Sequence, residues 1–225
     1  SKETTLLAVY PKAVKAGTKE TISIVGTNLS GNVKLPSTLK VLSTIKHTDN
    51  EIVLDVIANK NVKTFDGSIQ IGAKTFKNSL AVYDKVDYIK VTPDYAISRI
   101  GGDEGKDKIL KEYATFEAIG YLNGKDGEKG TGDDIELDVV PATWHLEAYD
   151  ERAVEDKDLD YVGQIDVNTG KFTPNISGPN EKRKLMTNNA GNISVVATYK
   201  DGNVELSEKS HMIVTVPKFV NPPIN

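Results

Sequence analysis

Residues 161–199 constrain the fold more than any other part of this 225-residue chain. A short strand at 164–166 is predicted to meet a turn at Asn168-Thr169-Gly170, and a second strand carries Phe172. After a polar loop rich in Gly, Pro and Asn, apolar side chains recur at every second position from Ile193 to Tyr199. A period of two between turn residues indicates a β-strand that is half-buried in an antiparallel sheet.

The same pattern continues along the whole chain. Short apolar or alternating segments, separated by turn residues at intervals of about ten, are predicted as strands. They lie at 6–10, 22–25, 39–41, 52–56, 68–71, 80–83, 86–92, 113–121, 144–146, 193–199 and 212–216. Because no 3.6-residue periodicity is present, we predict an all-β chain of two tandem immunoglobulin-like β-sandwich domains, at residues 1–83 and 84–225.

The charge distribution agrees with this division. Residues 1–83 contain 11 lysines, no arginine and six acidic residues, whereas residues 84–225 contain 17 basic and 26 acidic residues. Opposite net charges can steer a partner, but drift of surface charge explains them as well, and we favour drift. Because the basic half lacks arginine and interleaved aromatic residues, nucleic-acid binding is disfavoured.

The chain contains no cysteine. This excludes disulfides, thiolate metal sites, iron–sulfur clusters, covalently attached c-type haem and a cysteine nucleophile. No apolar run approaches the roughly 20 residues that a membrane-spanning helix needs, so we expect no membrane span. The chain begins Ser1-Lys2-Glu3 with neither Met nor an apolar signal segment, and we expect it to be a piece of a longer protein.

Two segments carry candidate chemistry. The loop 123–134 is rich in Gly and Asp, and hard oxygen ligands on a turn suit calcium. Its spacing does not match an EF-hand, and Asn-Gly and Asp-Gly also form ordinary hairpin turns, so we favour a solvated turn over a calcium site in the Asp126–Asp134 loop. The segment 147–160 holds seven acidic residues, but no spacing selects a pair for glycoside hydrolysis, and we predict a solvated loop.

Other active-site patterns are missing from the sequence. The histidines His47, His145 and His211 lack the close spacing of a zinc site. There is also no G-x-S-x-G elbow, Walker loop or dinucleotide-binding glycine motif. We therefore predict no catalytic, cofactor-binding or metal-binding residues, and no enzyme activity for this chain alone.

Several conspicuous residues have a structural explanation. Trp144, the only tryptophan, is predicted to fill the core of the second domain with Phe116 and Phe172. Gly163 and Gly170 suit turns that need a positive φ. The long loop 175–192 is most simply a Greek-key crossover, and a docking loop for a partner is the alternative.

From about Leu80 onward, the chain resembles the C-terminal part of the alpha subunit of quinohemoprotein amine dehydrogenase. The segments that carry the resemblance occur in one order and spacing. They are SLAVYDKVDYIKVTPDYAISRIGG (79–102), GKDGEKGTGDDI (124–135), the Trp144 strand, GKFTPNISGPN (170–180), NNAGNISVVATY (188–199) and VTVPKFV (214–220). Residues 1–83 fit the preceding domain of that subunit more loosely, and also look like an IPT/TIG-type immunoglobulin-like module.

The resemblance implies a place in a redox complex. In that family the alpha subunit carries two c-type haems on a cytochrome domain, a gamma subunit carries cysteine tryptophylquinone, and the beta subunit is a propeller. The complex oxidises primary amines in the bacterial periplasm. Because this chain has no C-x-x-C-H motif, none of these cofactors is expected on residues 1–225. The resemblance therefore implies non-catalytic β-domains that brace the assembly and present a surface to the beta and gamma subunits.

A second interpretation stays open. The segment GQIDVNTGKFTP (163–174) also resembles bacterial immunoglobulin-like group 2 repeats on cell surfaces. It implies a free-standing surface or adhesin-like module. Both interpretations place the chain in the periplasm or outside a bacterial cell.

Overall fold

The computed structural model describes residues 2–102 and 109–217, so the quoted segment 214–220 is described only as far as Pro217. Strands make up 57% of the structure and helices 5%, which confirms the prediction of an all-β protein. Every predicted strand region contains a strand, and most strands are longer than predicted. The single strand predicted at 113–121 is instead two strands, Ala114–Thr115 and Glu117–Leu122, which pair in different sheets.

The described residues form eighteen strands, two short helices and one 3-10 turn. The first eight strands are β1 (Thr5–Tyr10), β2 (Ala13–Lys15), β3 (Lys19–Thr27), β4 (Val33–Lys34), β5 (Leu39–His47), β6 (Glu51–Ala58), β7 (Thr64–Ile71) and β8 (Lys74–Tyr83). The next six are β9 (Tyr88–Thr92), β10 (Tyr95–Arg99), β11 (Ala114–Thr115), β12 (Glu117–Leu122), β13 (Ile135–Val140) and β14 (Thr143–Ala148). The helices α1 (Glu151–Glu155) and α2 (Asp158–Tyr161) precede β15 (Gly163–Ile165), β16 (Lys171–Pro174), the 3-10 turn Lys184–Met186, β17 (Gly191–Asp201) and β18 (Val204–Thr215).

The chain forms two compact units. One consists of the residues up to Tyr88 together with Gly120–Asp138, and the other of Ile89–Ile119 together with the chain from Val139 onward. The division passes within β9, β12 and β13, which form a sheet of their own. The boundary that we placed between residues 83 and 84 stays a prediction.

The first unit is a sandwich of two four-stranded sheets, with strand orders β1-β3-β6-β5 and β2-β8-β7-β4. On β6 every second residue is buried, and the inward side chains are Ile52, Leu54, Val56 and Ala58. They pack in one core with side chains from both sheets, including Ile22 of β3 and Ile69 of β7. Each large aliphatic side chain so buried contributes about 1.5–3 kcal/mol to the stability of the sandwich.

In both units, a proline follows a strand at the point where the chain passes from one sheet to another. After β1 the Tyr10–Pro11 bond is cis, and β2 then pairs in parallel with β8. After β9 the Thr92–Pro93 bond is cis, and β10 then pairs in parallel with β18. A proline has no N–H to donate to a sheet, so a strand ends there. The sequence indicated both of these strand ends.

The second unit contains a four-stranded sheet of order β10-β18-β17-β14 and a three-stranded sheet of order β11-β16-β15. Strand β17 is antiparallel to β14 and β18, as predicted. The prediction that it is half-buried is wrong, because the run Ile193–Ala197 is buried at every position. A central strand that is covered on both faces buries the outward as well as the inward side chains, and α2 contacts this strand.

The aromatic core of the second unit agrees with the prediction. Trp144, Phe116 and Phe172 are all buried, with 4%, 1% and 0% exposure. The rings of Phe116 and Trp144 are tilted, with centroids 6.3 Å apart. Gly170 has φ +71°, and a Cβ there would lie 2.9 Å from the Trp144 ring. Gly170 therefore ends the turn 167–169 as predicted, whereas Gly163, with φ +141°, is the first residue of β15 and not part of a turn.

Candidate functional site

The acidic segment 147–160 is not the solvated loop that we predicted. It forms helices α1 and α2, which contact β14 and β17. The side chain of Asp150 caps α1 and accepts a hydrogen bond of 2.8 Å from the backbone N–H of Ala153. Such an N-terminal cap satisfies a donor that the helix itself leaves free. Asp158 of α2 is only 2% exposed, so the segment contains a buried carboxyl group.

The neighbours of Asp158 come from a distant part of the chain. Its Oδ2 accepts a hydrogen bond of 3.0 Å from the backbone N–H of Asn192 in β17. Its Oδ1 lies 3.8 Å from a guanidinium nitrogen of Arg183, and Nε of Arg183 lies 3.6 Å from Asp156. Oδ1 of Asp158 and Nε of Arg183 are both buried and have no hydrogen-bond partner among the described residues. Arg183 therefore pairs electrostatically with two carboxyl groups without closing a hydrogen bond to either.

Burial raises the pKa of Asp158, because removal from water disfavours the charged form of a carboxyl group. The hydrogen bond from Asn192 and the positive charge of Arg183 act in the opposite direction, and the charges of Asp156 and Asp150 add to the increase. The balance leaves the pKa above its ordinary value.

A polar cavity of about 270 Å³ lies beside this pair. The residues that line it include Asp150, Asp156 and Asp158 together with Arg152, Arg183 and Lys184. Three acidic and three basic residues line the cavity, so their formal charges cancel. It has room for ordered water or a small polar group. No histidine or cysteine lines it, and we assign it no catalytic role.

Two buried asparagines fasten the loop 175–192. The side chain of Asn180, with 0% exposure, donates to the carbonyl of Asp156 at 2.9 Å. The side chain of Asn189 donates to the carbonyls of Tyr161 and Ile176 at 3.2 and 3.0 Å, and accepts from the N–H of Gly178 at 3.2 Å. Buried polar groups that are fully bonded in this way fix one loop conformation. We did not predict these anchors from the sequence, although asparagine is known for bonding to backbone.

The tip of this loop has an unusual backbone. Within the 3-10 turn Lys184–Met186, Leu185 has φ 68° and ψ 18°, which is the left-handed region. Its side chain is 86% exposed. Lys182 and Lys184 lie on either side of Arg183 and are both exposed. The loop therefore presents an apolar side chain directly after two exposed lysines.

The Gly- and Asp-rich loop belongs to the first unit. Asp126, Asp133 and Asp134 each place a carboxylate oxygen within 4.8 Å of the others. The hydroxyl of Thr131 lies 2.6, 2.7 and 3.0 Å from these three carboxylates. A hydrogen bond from the Tyr88 hydroxyl is the main reason why the pKa of Asp134 is lowered. Because three carboxylates are half or less of the six to eight oxygens that calcium takes, the solvated turn stays our prediction.

The histidines occupy separate places. His47 Nε2 lies 2.6 Å from the carbonyl of Leu29, and His145 Nε2 lies 2.9 Å from the carboxylate of Glu147. His211 Nε2 lies 2.9 Å from the side-chain oxygen of Asn192. Among residues 2–102 and 109–217, no group of three potential metal ligands includes a histidine. None of the helices in the same residues is long and apolar enough to cross a membrane.

Two family descriptions match consecutive parts of the chain. "Quinohemoprotein amine dehydrogenase, alpha subunit domain III" matches residues 3–84. "Quinohemoprotein amine dehydrogenase, alpha subunit domain IV" matches residues 89–224. Together with the strand content, these matches confirm the prediction of two tandem β-sandwich domains.

Several solved structures match this chain at low sequence identity. Domains 5–6 of the S-layer protein SbsC are 17% identical over 94% of this chain and 99% of that one, with a TM-score of 0.27. The polymeric Ig receptor ectodomain of a teleost fish is 10% identical over 96% of this chain and 100% of that one, with a TM-score of 0.36. The collagen adhesin of S. aureus is 12% identical over 94% of this chain and 92% of that one, with a TM-score of 0.21. These TM-scores are too low to support an inference about this chain. A search of the curated proteins gave no match.

Proposed function

Because the chain belongs to the quinohemoprotein amine dehydrogenase alpha-subunit family, over domains III and IV of that subunit, we propose that it is a non-catalytic scaffold that docks the partner subunits. The observation that carries this proposal is the match of two consecutive alpha-subunit domains, in their order, to residues 3–84 and 89–224. The parent complex, which oxidatively deaminates primary amines in the bacterial periplasm, supplies the chemistry.

The residues of this chain support a role without catalysis. Covalent attachment of a c-type haem needs cysteines, and the chain has none. The haems and the cysteine tryptophylquinone therefore reside on other segments of the complex. The polar cavity at Asp158 is lined by groups that neutralise one another, and no nucleophile paired with a base lines it. What remains is two β-sandwich domains, the second of which carries a fastened loop, and such a scaffold is suited to holding other subunits.

The proposed partners are the propeller beta subunit and the quinone-bearing gamma subunit. Rigid β-domains that carry long loops often supply recognition surfaces, because the scaffold fixes the position of the loop. The loop 175–192 is such a segment, since Asn180 and Asn189 fasten it to the carbonyls of Asp156 and Tyr161. We propose that docking uses this end of the second unit.

The proposal is tested with an antibody against this chain. The antibody is applied to a denaturing gel of the periplasm of the source organism, stained in parallel for covalent haem. We expect a haem-positive band much larger than the 24.5 kDa of this chain. A haem-negative band near 24.5 kDa would contradict the proposal and favour a free-standing surface module, which the resemblance of residues 163–174 to surface repeats also supports.

The absence of catalysis has its own test. The purified chain is mixed with a primary amine and an electron-accepting dye, and dye reduction is followed. We expect no turnover above the rate without protein. Reduction in proportion to the concentration of the chain would contradict the proposal.

A further inference from the structure

We propose that the tip of the loop 175–192, centred on Leu185, inserts into an apolar pocket rimmed by carboxylates on another subunit. This inference rests on the proposed function, since it names the surface by which the scaffold docks. It is carried by the backbone of Leu185, by the anchors of the loop and by the charges around its tip.

Leu185 adopts a backbone conformation that leucine seldom takes. Its φ of 68° lies in the left-handed region, which Gly, Asn and Asp populate far more readily. Such conformations persist only where the surrounding structure enforces them, and they occur often at binding sites. The conformation therefore requires a reason beyond the local sequence Lys184-Leu185-Met186.

The anchors show what enforces this conformation. Asn180 and Asn189 fix the two arms of the loop with side-chain hydrogen bonds to the backbone carbonyls of Asp156, Tyr161 and Ile176. Arg183 is held between Asp156 and Asp158, two residues before Leu185. The tip is consequently formed before any partner arrives, and its docking costs little conformational entropy.

The leucine side chain itself is open to solvent. At 86% exposure it is the most exposed of the large apolar side chains in the described residues. A single exposed leucine is ordinary on a protein surface. Here, however, the leucine stands at the end of a fastened loop in a strained backbone, which makes it a preformed apolar anchor.

The charges around the tip indicate the kind of partner. Residues 84–225 are acidic as a whole, with 26 acidic and 17 basic residues. Near the tip Lys182 and Lys184 are exposed and Glu181 is the acidic residue next to them in sequence, while Lys184 also lines the cavity at Asp158. Arg183 is directed to two aspartates of its own unit. Exposed lysines that immediately precede an apolar side chain complement a pocket with Asp or Glu at its rim.

The test compares variants of the alpha subunit that contains this chain. Leu185→Asn removes the apolar anchor but keeps a residue that tolerates the left-handed region. The probe is the purified remaining subunits of the complex, with affinity measured by an optical biosensor. We expect about a 10- to 100-fold loss of affinity, which corresponds to losing the burial of one aliphatic side chain. Leu185→Met, which keeps an apolar side chain, should retain most of the affinity.

A matched control comes from the same unit. Leu110 is 76% exposed and lies outside the loop, so Leu110→Asn should leave the affinity unchanged. Lys184→Glu should weaken binding and make it less sensitive to salt. The melting temperature of each variant establishes that it is folded.

The outcomes separate this inference from the function on which it rests. Equal affinities of wild type and Leu185→Asn would overturn the inference and leave the docking function intact. A wild-type subunit that does not bind the remaining subunits would overturn both. Loss of affinity in Leu185→Asn, with Leu110→Asn unaffected, would support both.

Discussion

The carboxyl group of Asp158 occupies the space that a side chain at Gly191 would need. A Cβ at residue 191 would lie 2.7 Å from Cγ and Oδ2 of Asp158 and 2.8 Å from Val162. The missing side chain thus lets a carboxylate from α2 approach β17 and accept the N–H of Asn192. In this position glycine is required by close approach rather than by its backbone angles.

We expect Gly191→Ala to destabilise the second unit. The added methyl group must displace Asp158 or α2, and overpacking of this kind costs about 1–3 kcal/mol. Urea unfolding followed by the fluorescence of Trp144, which lies in the second unit, measures the effect. Gly178→Ala is the control, because a Cβ there would meet its nearest neighbour only at 4.0 Å. Equal midpoints for the two variants would show that Asp158 moves aside without cost.

The titration of Asp158 should stabilise the folded state at low pH, which is the opposite of what carboxyl groups with a lowered pKa do. Burial raises the pKa of Asp158 in the folded state above the ordinary value of 3.8. At pH values between 3.8 and this raised pKa, the folded state therefore holds a proton that the unfolded state releases. The contribution of Asp158 to stability therefore falls as pH rises through this interval, and it stays low above it. Asp158→Asn removes the titration, while its amide oxygen can still accept the N–H of Asn192.

The measurement is the free energy of unfolding of both proteins from below the ordinary carboxyl pKa up to neutral pH. We expect the difference between variant and wild type to shift in favour of the variant as pH rises. Carboxyl groups with lowered pKa values, such as Glu147 and Asp166, titrate in both proteins and cancel. Because only the ionised form of Asp158 attracts Arg183, this pairing is already included in the direction of the pKa shift. A difference that stays flat, or that shifts toward the wild type, would contradict the raised pKa.

Trp144→Ala should cost about 3–5 kcal/mol, which is typical when a large aromatic side chain is removed from a core. Trp144 is 4% exposed and lies beside Phe116 in the core, so removal of its side chain leaves a cavity there. Unfolding is followed by far-UV circular dichroism, since the tryptophan is lost. Tyr113→Ala serves as the control, because Tyr113 is 47% exposed and lies under the amine of Lys171. A cost for Trp144→Ala as small as for this control would place the tryptophan outside the core.

The alternation of side chains allowed most strands to be predicted, because burial on one face leaves a period of two in the sequence. Strand β6 shows this directly, since each of its even-numbered residues is buried. Strands β2, β4, β10 and β13 were not predicted. Strands β2 and β10 are short and pair in parallel with β8 and β18, which lie far away in sequence, so no local turn marks the pairing.

The features of the candidate site were harder to predict, for two different reasons. The burial of Asp158 depends on a gap at Gly191 and on a backbone N–H of Asn192, 34 positions later in the chain. An acidic segment considered by itself therefore indicated solvent. The backbone of Leu185 is imposed by the anchors at Asn180 and Asn189, and the local sequence contains none of the residues that favour a left-handed turn.

The strain at Leu185 predicts that a substitution at this position stabilises the fold. A non-glycine residue in the left-handed region costs about 1–2 kcal/mol, and asparagine tolerates the region because its side chain can bond to nearby backbone. We therefore expect Leu185→Asn to raise the free energy of unfolding by about 1 kcal/mol in urea. Leu185→Ala is the matched control, since alanine loses the exposed side chain but keeps the Cβ that clashes. If alanine and asparagine give the same stability, the backbone at this position is not strained. A gain for asparagine alone means that leucine is retained there despite a cost to the fold, which is the expectation for a residue that serves a partner.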